Sequence, residues 1–233
     1  MIVFDKVSFG YDPGRPFLRN ISLSIGAGLT LIVGPNGAGK STWLKLAAGV
    51  EPPDAGHILV DGRDLWREEV AARASLAYLP EQPDLTPYAA IRDILLLVCR
   101  LRRRPAAEAE EALTRFGLAR FAGRSVRELS LGQKRRATFA AAFIGSPDHI
   151  LLDEPLEAMD RETRDLIADW ILRRKDDGAA VLVVSHDLEP FAADADRALA
   201  LREGRAVLRD DWPAAEADQL VFLDGLARGE TPS

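Results

Sequence analysis

Apolar and polar residues alternate over the first 25 positions. Val3, Val7 and Phe9, and then Ile21, Leu23 and Ile25, recur with the two-residue period of half-buried strands. Gly10-Tyr11-Asp12-Pro13-Gly14 separates the two sets and is a turn by composition. The pattern then changes. Leu29-Thr30-Leu31-Ile32-Val33, Ile150-Leu151-Leu152 and Ala180-Val181-Leu182-Val183-Val184 are short, continuous apolar runs. Such runs suit strands covered on both faces of a parallel sheet. Residues 57–60 and 76–79 read as further strands. From residue 87 to about 145 the chain is rich in Ala, Leu, Arg and Glu and reads as mostly helical, with breaks at Pro105 and near Gly123. A helix is expected over 161–174, short strands near 198–201 and 206–208, and a last helix before a polar tail. Strands alternating with helices define an α/β fold. The whole of 1–233 reads as one domain, with an antiparallel β portion at the N-terminus and an α-helical subdomain inserted at 82–145.

Composition narrows what such a domain can do. At 233 residues and 47% hydrophobic, the chain can build a full core. A net charge of −6 opposes non-specific binding to nucleic acid, and no nucleic-acid partner is expected. The one cysteine, Cys99, cannot form an internal disulfide and lies in the apolar run Ile94-Leu95-Leu96-Leu97-Val98, so it reads as a small buried hydrophobe. No stretch approaches the ~18 apolar residues of a membrane span. The start has an early acid, Asp5, and no basic segment of a signal peptide. A cytoplasmic protein is expected, reaching any membrane through a partner.

The candidate chemistry begins at the third strand, which runs into Gly34-Pro35-Asn36-Gly37-Ala38-Gly39-Lys40-Ser41-Thr42. This is the P-loop spacing. Glycines let successive N–H groups converge on phosphate oxygens, and the helix that follows points its positive end at the same charge. Lys40 supplies a mobile cation and Ser41 a hydroxyl for Mg²⁺. The fold class is therefore an α/β P-loop NTPase core. Asp153 and Glu154 end a buried strand, where ligands of open α/β sheets bind. Asp153 suits Mg²⁺, and Glu154 suits the orientation and deprotonation of water beside a γ-phosphate. His186, in Ser185-His186-Asp187, ends the next apolar strand and can reach the same phosphate. His57 and His149 have no such setting and read as structural.

Leu129-Ser130-Leu131-Gly132-Gln133 narrows the field further. It resembles the signature motif of ABC ATPases, usually LSGGQ, and lies 20 residues before Asp153 as in that family. Leu131 departs from the usual glycine, and Gly132 keeps the second. The resemblance covers about residues 1–210. It implies that Ser130, Gly132 and Gln133 meet the γ-phosphate held by a second subunit, so that the protein works as a homodimer or heterodimer of ATPase subunits around ATP and Mg²⁺. Tyr11 matches the aromatic residue that stacks on adenine, and Ala158-Met159-Asp160 resembles the D-loop. In Tyr78-Leu79-Pro80-Glu81-Gln82 the Q-loop position falls on Glu81 by spacing, with Gln82 next to it, and either can approach the metal. The resemblance also implies an integral membrane permease as partner, on whose cytoplasmic side the ATPase sits. The signature and the Leu-Pro-Glu stretch look like exporter ATPases. Import is the alternative, and a soluble ATPase outside transport is a further one. Arg100, Arg102, Arg103 and Arg104 close a predicted helix and read as a solvated helix end; the other reading is a contact with acidic lipid or with the permease.

Overall fold

The computed structural model describes every residue except 13, 83, 84, 158, 212, 214, 215 and 229–233, with backbone alone at 216 and 217. The elements run β1 (Ile2–Phe9), β2 (Leu18–Ile25), β3 (Gly28–Val33), α1 (Lys40–Ala47), β4 (Ala55–Val60), β5 (Arg63–Asp64), α2 (Glu69–Arg73) and β6 (Leu76–Leu79). There follow α3 (Ile91–Leu101), α4 (Ala107–Arg115) and α5 (Leu131–Phe143). The chain closes with β7 (His149–Asp153), α6 (Arg161–Asp176), β8 (Ala180–Val184), α7 (Glu189–Ala192), β9 (Arg197–Arg202), β10 (Arg205–Arg209) and α8 (Glu216–Arg228).

The continuous apolar runs become the centre of a six-stranded sheet, ordered β10-β9-β3-β8-β7-β6. Its pairings are parallel except for the antiparallel β9–β10 edge. Every residue of β7 and β8 is buried, because both faces of the sheet are covered. Alternate side chains divide between two cores. Leu31, Leu152 and Val183 face the one that holds residues of α3, α4, α5 and α6. Ile32, Leu151 and Leu182 face the one shared with α1 and the N-terminal strands. Those strands form a separate antiparallel sheet, ordered β2-β1-β4-β5. It is fastened to α1 by the rings of Phe4 and Trp43, stacked 4.5 Å apart.

The simple alternation expected for β1 needs correction. The inward residues are Ile2, Phe4, Val7 and Phe9, and Val3 lies on the less buried face. Phe4 pairs with Leu23 but Val7 pairs with Ile21, so two residues of β1 face one of β2. That is a β-bulge, with Lys6 at φ 52° and its N–H donated to Ser22 Oγ at 3.0 Å. The bulge inserts one residue and resets which positions point inward.

Within the helical region expected over 82–145 lie α3, α4 and α5, with two single-turn 3-10 helices (Ala119–Phe121 and Val126–Glu128) between α4 and α5, and the break at Pro105 separates α3 from α4. Cys99 is buried in its core. The arginines that close α3 are not uniformly solvated. Arg102 turns inward and donates to the carbonyls of Ala142 (3.3 Å), Leu76 (3.4 Å) and Ile144. It thereby fastens the end of α3 to β6 and to the end of α5, whose last carbonyls lack helical partners. Arg104 pairs with Glu108 at 2.6 Å. The two remaining histidines are structural: His57 Nδ1 lies 2.9 Å from Asp64, and His149 Nε2 lies 2.9 Å from Asp61.

Candidate active site

β3 ends at Val33 and α1 begins at Lys40, with six residues between them. The loop between them turns on glycines that no other residue fits. Gly39 has φ 97°, and a Cβ there would lie 2.3 Å from the Phe17 ring; at Gly34 a Cβ would lie 2.3 Å from the Leu201 carbonyl oxygen. No side chain caps α1 and no acid occupies its first turn, so its free N–H groups and positive end face the loop. Lys40 Nζ donates to the carbonyls of Gly34 (2.8 Å) and Pro35 (3.3 Å). Burial pulls its pKa below the ordinary lysine value, against the opposing pull of Glu154 and Asp153.

One cavity of about 470 Å³ joins this loop to the ends of β7 and β8, with Tyr11, Asn36, Gly37, Gly39, Lys40, Ser41, Thr42, Glu81, Asp153, Glu154 and His186 among its walls. Asp153 is 2% exposed. Ser41 hydrogen-bonds to it, Oδ1 has no partner, and burial raises its pKa. A buried carboxylate oxygen with no donor is what a divalent cation would satisfy. Among the described residues no three His, Cys, Asp or Glu side chains converge as a metal cage. The donor set, one hydroxyl and one carboxylate, suits Mg²⁺, which takes few protein ligands and completes its shell with phosphates and water.

Glu154, the residue after β7, has φ 49°. Its N–H donates to the Val184 carbonyl at 2.8 Å. Its carboxylate accepts from the His186 N–H at 3.1 Å and from Ser185 Oγ at 3.4 Å. Burial raises its pKa, and the His186 contacts oppose the rise. The His186 ring is largely exposed, with Nε2 3.7 Å from Glu154 Oε1.

The other expected residues divide. Gly34 serves through its carbonyl, bonded to Lys40. Ala38 packs against the core beneath the antiparallel sheet and is not among the cavity walls. Glu81 lines the cavity and Gln82 does not. Ser130, Gly132 and Gln133 also lie off the cavity wall, at the start of α5, where Ser130 and Gln133 form a reciprocal capping box with bonds of 3.1 and 3.3 Å. One chain does not bring this helix start together with Lys40. Leu131 is 55% exposed beside it. Asp160 caps α6 through a 2.9 Å bond from the Thr163 N–H, and Ala158 lies outside the described residues.

Three features went unread in the sequence. The Tyr11 hydroxyl lies 3.0 Å from Thr42 Oγ1. Phe17 packs over Gly39 and joins the cavity wall. Arg135, inside the basic run Lys134-Arg135-Arg136, is buried against Glu154, Glu81 and Glu157. No local signal in the sequence marks which member of that run is buried.

Fold and site together define a P-loop NTPase. Residues 18–157 match the ABC transporter family. The methionine import ATP-binding protein MetN of Caulobacter vibrioides is 34% identical over 89% of this chain and 66% of its own length. The putative ABC transporter ATP-binding protein PH0132 of Pyrococcus horikoshii is 33% identical over 88% of this chain and 81% of its own. The chain thus belongs to the ABC transporter family of ATP-binding proteins. It spans about half, 52%, of the sulfate/thiosulfate import protein CysA of Mycobacterium bovis. The dimeric, post-hydrolysis cassette MJ0796 bound to ADP and Pi superposes with a TM-score of 0.78 at 27% identity, over 90% of this chain and 98% of that one. The relatives named here that state a direction, for methionine and for sulfate or thiosulfate, are import proteins. They run against the export expected from the signature.

Proposed function

We propose that the chain is the ATP-hydrolysing subunit of an ABC transporter, working as a dimer on a separate integral membrane permease. The observation that carries this reading is the single cavity in which Lys40, Ser41, Asp153, Glu154 and His186 meet. The P-loop glycines and the α1 start cradle the phosphates of ATP, and Lys40 swings from the loop carbonyls to the β- and γ-oxygens. Ser41 and Asp153 would hold Mg²⁺, which when bound would neutralise charge on the transferred phosphoryl group. Glu154 orients the attacking water and accepts its proton, and its raised pKa moves it toward the range useful to a base. His186 faces the γ-phosphate, and Tyr11 stacks on the base. Glu81, rather than Gln82, takes the Q-loop position. Ser130, Gly132 and Gln133 complete the site of the opposite subunit, which accounts for their distance from the cavity of their own chain.

The ATP cycle moves the helical insertion, which docks on the permease at the cytoplasmic face. No helix among the described residues is long and apolar enough to cross a membrane. Of the two directions, the relatives support import. The same motor chemistry serves either direction, so the substrate and the path belong to the permease. The central test is hydrolysis of MgATP by the purified chain and by Glu154→Gln. The amide keeps the shape and removes the base, so turnover falls ~10²–10⁴-fold while ATP affinity is retained and a stable dimer accumulates by gel filtration. Full turnover in this variant would remove Glu154 from its role.

A further inference from the structure

Arg135 is 4% exposed. A guanidinium is costly to bury unless its donors are met. Nη1 donates to the Glu154 carbonyl at 2.5 Å, and Nη2 to the Glu81 carbonyl and to Glu157 Oε2, the last at 3.0 Å. Glu157 is itself well exposed, so charge pairing alone does not explain the burial. Two of the three partners are main-chain carbonyls from separate loops of the site. A rigid, planar fork can reach both at once, and the single ammonium of lysine cannot hold the same pair.

The Glu154 backbone makes such a tie necessary. Its φ of 49° lies in the left-handed region, unfavourable for a residue with a Cβ and kept only where the surroundings enforce it. The N–H side is pinned by β8 through the Val184 carbonyl at 2.8 Å. On the carbonyl side the oxygen accepts from Arg135 and, at a longer 3.4 Å, from the Glu157 N–H, and Arg135 is the partner that ties it to another element. That second pin comes from α5, whose first turn begins at Leu131.

The geometry points to Arg135 as a positioning residue that locks the Glu154 and Glu81 main chains to α5 and so sets the aim of the Glu154 carboxylate. This rests on the reading of Glu154 as the base. If the start of α5 meets the nucleotide of the second subunit, any shift of α5 is passed through Arg135 to the Glu154 of its own site. One side chain then links the two sites of the dimer.

The test is a double-mutant cycle between Arg135→Gln and Glu154→Gln, read by single-turnover hydrolysis, by the Kd of a fluorescent ATP analogue and by Tm. A misaimed reacting group costs up to ~10²-fold. Arg135→Gln should lower the hydrolysis rate about 10- to 100-fold with the Kd within about twofold. On the Glu154→Gln background the further loss should be under about twofold, because the carboxylate that Arg135 aims is already gone. Arg135→Lys, which keeps the charge and loses the fork, should fall between, and it carries the cycle if Arg135→Gln fails to fold. Equal losses on both backgrounds, no loss at all, or a Kd that rises as far as the rate falls would overturn the inference. If Glu154→Gln alone leaves hydrolysis intact, the reading of Glu154 fails first, and its failure is recognisable because it appears before Arg135 is touched.

Discussion

Removing the Tyr11 side chain in two steps separates the two things it does. The residue is 61% exposed on the wall of the cavity, and its ring meets the Phe9 ring nearly perpendicularly, with centroids 5.0 Å apart. The hydroxyl lies 3.0 Å from Thr42 Oγ1 on the first turn of α1. Stacking of a base on an aromatic ring is worth ~1–3 kcal/mol, or about 5- to 150-fold in Kd. A neutral hydrogen bond nets ~0.5–1.5 kcal/mol, and this one, on a largely exposed residue, belongs at the lower end. Its contribution to nucleotide binding is indirect, through holding the ring in place, so about two- to threefold in Kd is expected from its loss. Tyr11→Ala should therefore weaken ATP and GTP together by the larger factor, since stacking uses the face that every base presents. Tyr11→Phe should cost only the smaller factor. Calorimetric titration of each variant with ATP and with GTP gives the comparison. The bond to Thr42 gives the hydroxyl a small share of the effect. A Phe variant as weak as the Ala variant would refute stacking, and so would an Ala variant that loses ATP while keeping GTP.

The remaining predictions concern the second subunit and the Q-loop position. Ser130→Arg and Lys40→Ala chains should each fail to hydrolyse ATP, yet a mixture should partly recover, because both lesions then fall in one composite site and leave the other whole; a Ser130→Arg chain that hydrolyses normally alone would refute the role across the dimer. Glu81→Gln should alter the ATPase activity of the assembled transporter mildly, with a rise the sign that charge repulsion from phosphate was relieved, while Gln82→Ala should be nearly silent; the reverse ranking would move the Q-loop role to Gln82.

What the sequence made legible was chemistry carried by neighbouring residues. Lys40, Ser41 and the glycines before them lie within one turn of chain, and Asp153 and Glu154 are adjacent, so spacing alone states their geometry once a strand leads into each. The fully apolar runs of β3, β7 and β8 announced a sheet covered on both faces for the same reason. What stayed hidden depended on contacts between distant segments. Nothing local tells that two residues of β1 face one of β2, so the inward positions were read one residue out of step before the bulge. Lys134-Arg135-Arg136 looks like a solvated run, and so does the cluster around Arg102. In each, one guanidinium is drawn inside because loops or helix ends place carbonyls within its reach. A run of cations carries no mark of which member will meet such carbonyls, since that depends on the helix phase and on where two other loops stop. The composite site is the limiting case. In the proposed dimer its second half meets Lys40 only through another copy or another chain, so the proposal rests on motif order and not on the geometry of one subunit. A mixing experiment decides it, because the mixture of the two variants puts one whole P-loop and one whole α5 start on opposite sides of one nucleotide.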